Sequence, residues 1–304
     1  MVQKVTIENL TYLRSVTLDR IDADYLLDDD GIDWGSVPSQ ISYSSTIGGL
    51  GSTVKKSSMT QPRNIRIVGW IITGDASIEE KKAYLSKICN PIDTVCITCG
   101  GYTIKGKLSS AIKFATATDE NNEEMCKFSI SIACAFPFFT KTIKKSFGEG
   151  TEDPFLIQVG GTGTIFSFPM PLENFGEFTV GAKFTITLSA TYTNIGIQTY
   201  VWNHTYDGQF NLIGTFPAGT KFYVNTISDH KSVSINTSSA PGEAYKYWDL
   251  NSDWVQIYKT LSPEDGYCYL VLSVDDYDVS EISGFNGIRV DVEYDTAYLS
   301  MEDM

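Results

Sequence analysis

The chain has 304 residues, of which 42% are hydrophobic and 12% aromatic. That is long enough for two ordinary domains and too apolar for a disordered protein. Its net charge of −14 lies wholly in the second half, because 17 Lys and Arg balance 17 Asp and Glu through Gly150 while 6 face 20 from Thr151 onward; that sign excludes sequence-independent nucleic-acid binding by the second half.

In chain order, residues 2–7 read as a short strand, and Asp28-Asp29-Asp30-Gly31-Ile32-Asp33 reads as a solvated acidic turn. It is not a calcium loop, since Ile32 stands where an oxygen ligand is needed. From Ser36 to Thr60, 14 of 25 residues are Ser, Thr or Gly. Such a tract cannot build its own core. A flexible surface loop is one reading. The other is an arm that docks on a neighbouring subunit, and it explains why Ile41, Tyr43, Ile47, Leu50, Val54 and Met59 recur at intervals where a pure linker would carry none.

Asn64 to Ile72 alternates as a strand, with Ile65, Ile67 and Ile71 on one face. Ser77 and Glu80 form a capping box, and Ile78, Leu85 and Ile88 share one face of the helix that follows. Asn90-Pro91 ends it. Strands are expected at Val95–Thr98 and Gly106–Ala117. Cys126, Phe128, Ile130, Ile132, Cys134 and Phe136 then alternate with small and polar residues, the period of a half-buried strand. From Lys141 to Gly163 the pattern lapses into charge, Gly and Pro, so the domain boundary is expected there. Beyond it the helix signal vanishes. Strands are expected around Phe184–Tyr192, Lys221–Thr226, Lys231–Asn236, Tyr267–Val274 and Ile288–Tyr294, punctuated by Pro-Gly turns, which predicts a β-sandwich.

Chemistry is sparse. No leader sequence and no apolar run near ~20 residues is present, so neither secretion nor membrane spanning is expected. The six cysteines read as buried thiols. Cys96-x-x-Cys99 lacks the second pair that a zinc site needs. Only His204 and His230 are present. His230 follows Asp229, but neighbours on a strand face opposite ways, so no triad is expected. Gly160-Gly161-Thr162-Gly163-Thr164 has no helix after it and no phosphate-binding lysine, and reads as an interdomain turn. Many carboxylates in the second half are available for glycoside hydrolysis, yet none stands out as a pair. No cofactor, no metal and no enzymatic activity are expected. Trp202, Trp248 and Trp254 are candidate carbohydrate contacts, because aromatic faces stack on sugars; core packing is the commoner fate of such rings.

Taken together, the arm, the strand carrying Arg66-x-x-Gly69, the capped helix ending at Pro91 and the closing Phe136-Pro137-Phe138-Phe139 resemble the distal tail proteins of tailed bacteriophages. So does the order of Pro217-Ala218-Gly219, Lys231-Ser232-Val233 and Tyr247-Trp248-Asp249-Leu250-Asn251-Ser252-Asp253-Trp254 in the second half. Phe136 replaces the acidic residue common before that proline, and Pro263-Glu264-Asp265-Gly266 is longer than the family's turn. The resemblance implies a mainly β protein. Residues 1–145 would be a tail-tube-like, ring-forming domain with one helix and an arm at 36–62, and residues 146–304 a galectin-like sandwich. It further implies a homohexameric ring at the distal end of the virion tail, joining the tail tube protein to a tip or baseplate hub and its receptor-binding proteins. The alternative function is a carbohydrate-binding module at the tail tip.

Overall fold

In the computed structural model the described residues are 4–21, 24–37, 39–45, 52–118, 124–152, 166–201, 208–237, 240–259, 268–275 and 287–299. The protein is mainly β and divides into two compact units: Met1–Lys141 with Tyr298–Met304, and Thr142–Ala297.

The first unit holds β1 (Lys4–Asn9), β2 (Arg14–Asp19), β3 (Tyr25–Asp33), β4 (Ser39–Ser45), β5 (Ser52–Thr60), β6 (Arg63–Ile72), α1 (Ile78–Ile88), β7 (Val95–Cys99), β8 (Tyr102–Leu108), β9 (Lys113–Thr118) and β10 (Glu124–Cys134). Strands pair in the order β8-β7-β1-β2-β3-β6-β10. Leu108 of β8 also faces Ile132 of β10, so the sheet closes on itself as a seven-stranded barrel and loses its edges. Alternation sends Cys126, Phe128, Ile130, Ile132 and Cys134 inward, opposite Ile65, Ile67 and Ile71, and all are fully buried. Gly69 interrupts the second row for a steric reason. It sits opposite Phe128, and a Cβ there would stand 2.6 Å from the Phe128 ring and 2.4 Å from the Leu26 carbonyl oxygen.

Helix α1 starts at the expected capping box: Ser77 Oγ accepts from the Glu80 amide at 3.3 Å, and Glu80 Oε2 accepts from the Ser77 amide at 3.0 Å. Its inner face buries Ile78, Leu85 and Ile88. Lys81 is buried there too, because its ammonium reaches Asp24 at 2.7 Å and the Ile72 carbonyl at 2.8 Å.

Three local expectations change. The acidic stretch at 28–33 is not a free turn but the end of β3, which bulges between Leu27 and Ile32 against β6. Ion pairs Asp28–Lys127 and Asp29–Arg20 carry its charge. The strand expected over Gly106–Ala117 is two strands on one partner: Leu108 faces Ile132 and Lys113 faces Ser129, so the outer chain uses five steps where β10 uses three. The surplus loops out as a bulge does. The alternating row stops at Cys134, and Phe136 beyond it is 54% exposed.

The chain enters the second unit within β11 (Phe139–Gly148) and leaves it within β21 (Ile288–Tyr298). Between them lie β12 (Phe166–Leu172), β13 (Val180–Leu188), β14 (Tyr192–Val201), β15 (Gln209–Phe216), β16 (Lys221–Asn225), β17 (Ser232–Thr237), β18 (Ala240–Glu243), β19 (Gln256–Ile257) and β20 (Cys268–Asp275). One sheet runs β18-β17-β16-β13-β21-β11, with β19 also on β13; the other runs β12-β20-β14-β15. Phe184, Ile186 and Val290 from the first meet Ile197, Phe210 and Leu272 from the second in one buried cluster, which makes a sandwich. β11 occupies sequence read as a lapse in pattern, because Ile143 and Phe147 alone carry its apolar face into that core.

Candidate functional site

The arm leaves the first unit between β3 and β6, and its base is cinched. The Gly35 amide donates to Asp33 Oδ1 at 2.9 Å. Gly35 has φ +63°, and a Cβ there would lie 2.2 Å from the Asn64 carbonyl oxygen; only glycine passes this corner. Beside it Trp34 meets Phe139 edge-on at 5.3 Å, and the Arg63 guanidinium lies over the other ring at 4.7 Å. Arg63 is 2% exposed and donates Nη2 to the Leu299 carbonyl, while its Nε and Nη1 have no hydrogen-bond partner among the described residues. Burial holds its pKa below the ordinary value. Sequence reasoning missed this arginine, because nothing in a single Arg at a strand start signals burial.

Beyond the base, β4 and β5 form a two-stranded antiparallel sheet that pairs with no other strand among the described residues. Tyr43 faces Val54 in the register, Gln40 faces Met59, and Ile41 sits at the irregularity between Gln40 and Ser42. Ile47 and Leu50 lie outside the described residues. A lone hairpin of this kind is marginal in water. Its two outer edges offer backbone donors and acceptors to another chain.

In the second unit Trp248 and Trp254 come together. Fully buried Phe210 stacks on Trp248 at 5.5 Å, Trp248 meets Trp254 at 4.8 Å, and Lys231 Nζ lies 5.6 Å from the Trp254 ring. The segment is riveted to edge strand β15. Trp248 bridges Leu212, the Asp249 amide donates to the Asn211 carbonyl at 3.0 Å, and the Asn211 amide donates to Ser252 Oγ at 2.9 Å. Both rings are half-buried and pack on the sandwich core, so the ladder covers the open side of β15. Trp202 lies outside the described residues.

The outer face of the same unit has an open groove of about 320 Å³. Lys144 and Lys183 flank Glu293 there, at 2.9 and 3.3 Å. The hydrogen bond from Lys144, then that from Lys183, hold the Glu293 carboxyl below its ordinary pKa. His230 lies exposed in a short turn at 228–230, and His204 is outside the described residues. No three His, Cys, Asp or Glu side chains gather among the described residues as a metal site requires.

No protein-family model matches the chain, and no curated protein matches it significantly. Solved structures do. The chain shares its fold with the SPP1 Dit protein, described as a paradigm of the hub adsorption apparatus in phages that infect Gram-positive bacteria. The two are 13% identical, the match covers 96% of this chain and 98% of that one, and the TM-score is 0.57. A chain of the phage P2 baseplate, in its activated conformation with Ca, is 10% identical over 97% of this chain and 98% of that one, with a TM-score of 0.51.

Proposed function

We propose that the chain is a distal tail protein: a non-enzymatic hub at the end of a phage tail, where copies form a homohexameric ring. The ring joins the tail tube protein to the tip or baseplate hub. The first unit builds the ring, and the second, read as galectin-like, projects to hold receptor-binding or baseplate proteins. The observation that carries this is the end-to-end fold match with the SPP1 Dit protein, which covers 96% of this chain and 98% of that one. The hairpin β4–β5, which pairs with no other strand among the described residues, adds a physical motive for self-association. A net of zero charge through Gly150 permits close packing of copies, and −14 from Thr151 onward keeps the second units apart.

The test is negative-stain microscopy and native mass spectrometry of the purified chain, with immunogold labelling of virions. Six-fold rings and label at the tail end opposite the head are expected. A protein that stays monomeric at micromolar concentration and above, or label along the capsid, overturns the proposal.

A further inference from the structure

Unit 1 carries a second feature that the hub reading leaves unused. The β1–β2 turn presents Leu10, Tyr12 and Leu13, which are 37%, 62% and 77% exposed, and the turn after α1 presents Ile92 at 79%. Two loops far apart in sequence thus hold four large apolar side chains in water. They are tied together: Thr11 Oγ1 donates to Asp93 Oδ1 at 3.0 Å, and the Leu10 amide donates to the Thr94 carbonyl at 3.1 Å. Buried Asn9 anchors both loops. Its Nδ2 donates to the Ile88 carbonyl at 3.0 Å and to Asp93 Oδ2 at 3.2 Å, and its Oδ1 accepts from the amides of Thr11 and Tyr12. Leu13 has φ +52°, a left-handed conformation that costs a leucine about 1 kcal/mol or more and suits glycine. A turn that only reversed the chain would not keep a strained, exposed leucine.

Strand directions fix where this patch lies. β1 runs into the turn and β2 away from it. β3 is parallel to β2 and antiparallel to β6. β3 therefore ends, and β6 begins, at the opposite rim of the barrel, which is where the arm departs. An arm on one rim and an exposed apolar patch on the other are the two unlike halves of a head-to-tail contact, the kind that closes into a ring.

We propose that the patch formed by Leu10, Tyr12, Leu13 and Ile92 receives the β4–β5 hairpin of a second copy of this chain. The occupant is argued from charge and composition. From Ser36 to Thr60 the arm has no acidic residue, and Lys55 and Lys56 are its only charges. At the patch the Asp93 carboxylate accepts from Asn9 and Thr11 and is in no ion pair among the described residues, while the nearby Lys107 ammonium is taken up by the Ile92 carbonyl at 3.2 Å. An apolar, hydroxyl-rich hairpin with two lysines matches an apolar surface whose one carboxylate is in no ion pair among the described residues.

This proposal rests on the ring reading, and complementation separates the two. One variant carries Tyr12→Ser, Leu13→Gly and Ile92→Ser, and so keeps its arm but loses its patch. Another replaces residues 39–60 by a short Gly-Ser link, and so keeps its patch but loses its arm. Ile92→Glu alone, on the other loop, guards against misfolding of the triple variant. Analytical ultracentrifugation reads the mass. The expected result is an assembled wild type, monomeric single species of all three variants, and a 1:1 dimer when the armless and patchless chains are mixed. If the patch variants assemble like wild type while the armless chain is monomeric, the patch assignment is wrong and the ring reading stands. A mixture that stays monomeric overturns the pairing as well. A wild type that never assembles removes both.

Discussion

Burial, more than sequence spacing, decides what the ionisable side chains do. All six cysteines are buried and none is in a disulfide. Desolvation pushes Cys89 up to about 12 and Cys134 and Cys268 up to about 11, and raises Cys96 and Cys99 as well. The thiolate is the reactive form, so the folded protein should resist an aromatic disulfide reagent at pH 8 and release six equivalents only after denaturation. Rapid reaction of Cys96 or Cys99 in the native state would contradict the burial. Carboxylates behave in the opposite sense. The hydrogen bond from Lys127 lowers Asp28 below its ordinary 3.8, and Lys144 with Lys183 lowers Glu293 below 4.5. A depressed folded pKa adds stability that is fully present above the ordinary value and is lost as pH falls through the folded one. Thermal stability should therefore decline from about pH 4.5 downward, by a modest amount because both groups are partly solvated. Asp28→Asn with Glu293→Gln should flatten that decline, and a slope unchanged in the double variant would show that other groups carry it.

Among the elements, β6 links sequence to packing most directly. Its Arg66-x-x-Gly69 is explained by geometry: Arg66 faces out toward Ser129 Oγ at 3.3 Å, and Gly69 leaves room for Phe128. Gly69→Ala should destabilise by about 1–3 kcal/mol, the usual cost of overpacking a core, and Phe128→Leu should recover part of it. Denaturant melts of the two singles and the double measure this, and additive losses would refute it. The same elements show what was readable in advance. β10 and α1 were legible because a period of two and a capping box are local signals. β3 was not, because Asp28, Asp29 and Asp30 look like a turn until Lys127 and Arg20 come across to meet them. β11 was hidden because its inward face has only Ile143 and Phe147 among lysines. The arm was legible as a tract without a core, but its hairpin was not, since Ser and Thr give no alternation to count. The patch of Leu10, Tyr12, Leu13 and Ile92 escaped notice because its two loops are far apart in sequence and are joined by tertiary hydrogen bonds, from Asn9, Leu10 and Thr11 to Ile88, Asp93 and Thr94.

The division into two units has a consequence for how the chain unfolds. The sandwich cluster, from Phe147 to Tyr294, lies entirely within 142–297. The barrel cluster, by contrast, needs both ends of the chain: Tyr298 packs edge-on against Tyr102 at 5.4 Å, and the Leu299 carbonyl accepts from Arg63. A domain of ~150 residues buries enough surface to fold alone, so residues 142–297 expressed separately should melt cooperatively. They should also remain monomeric, since they lack the arm. Residues 1–141 alone should be less stable than the same segment within the full chain, because the aromatic contact and the Leu299 carbonyl that accepts from Arg63 go with the missing end. Adding a 298–304 peptide in trans should raise the melting temperature of 1–141 if those contacts matter. A segment 142–297 without a cooperative transition by circular dichroism and calorimetry would mean that the two cores fold as one.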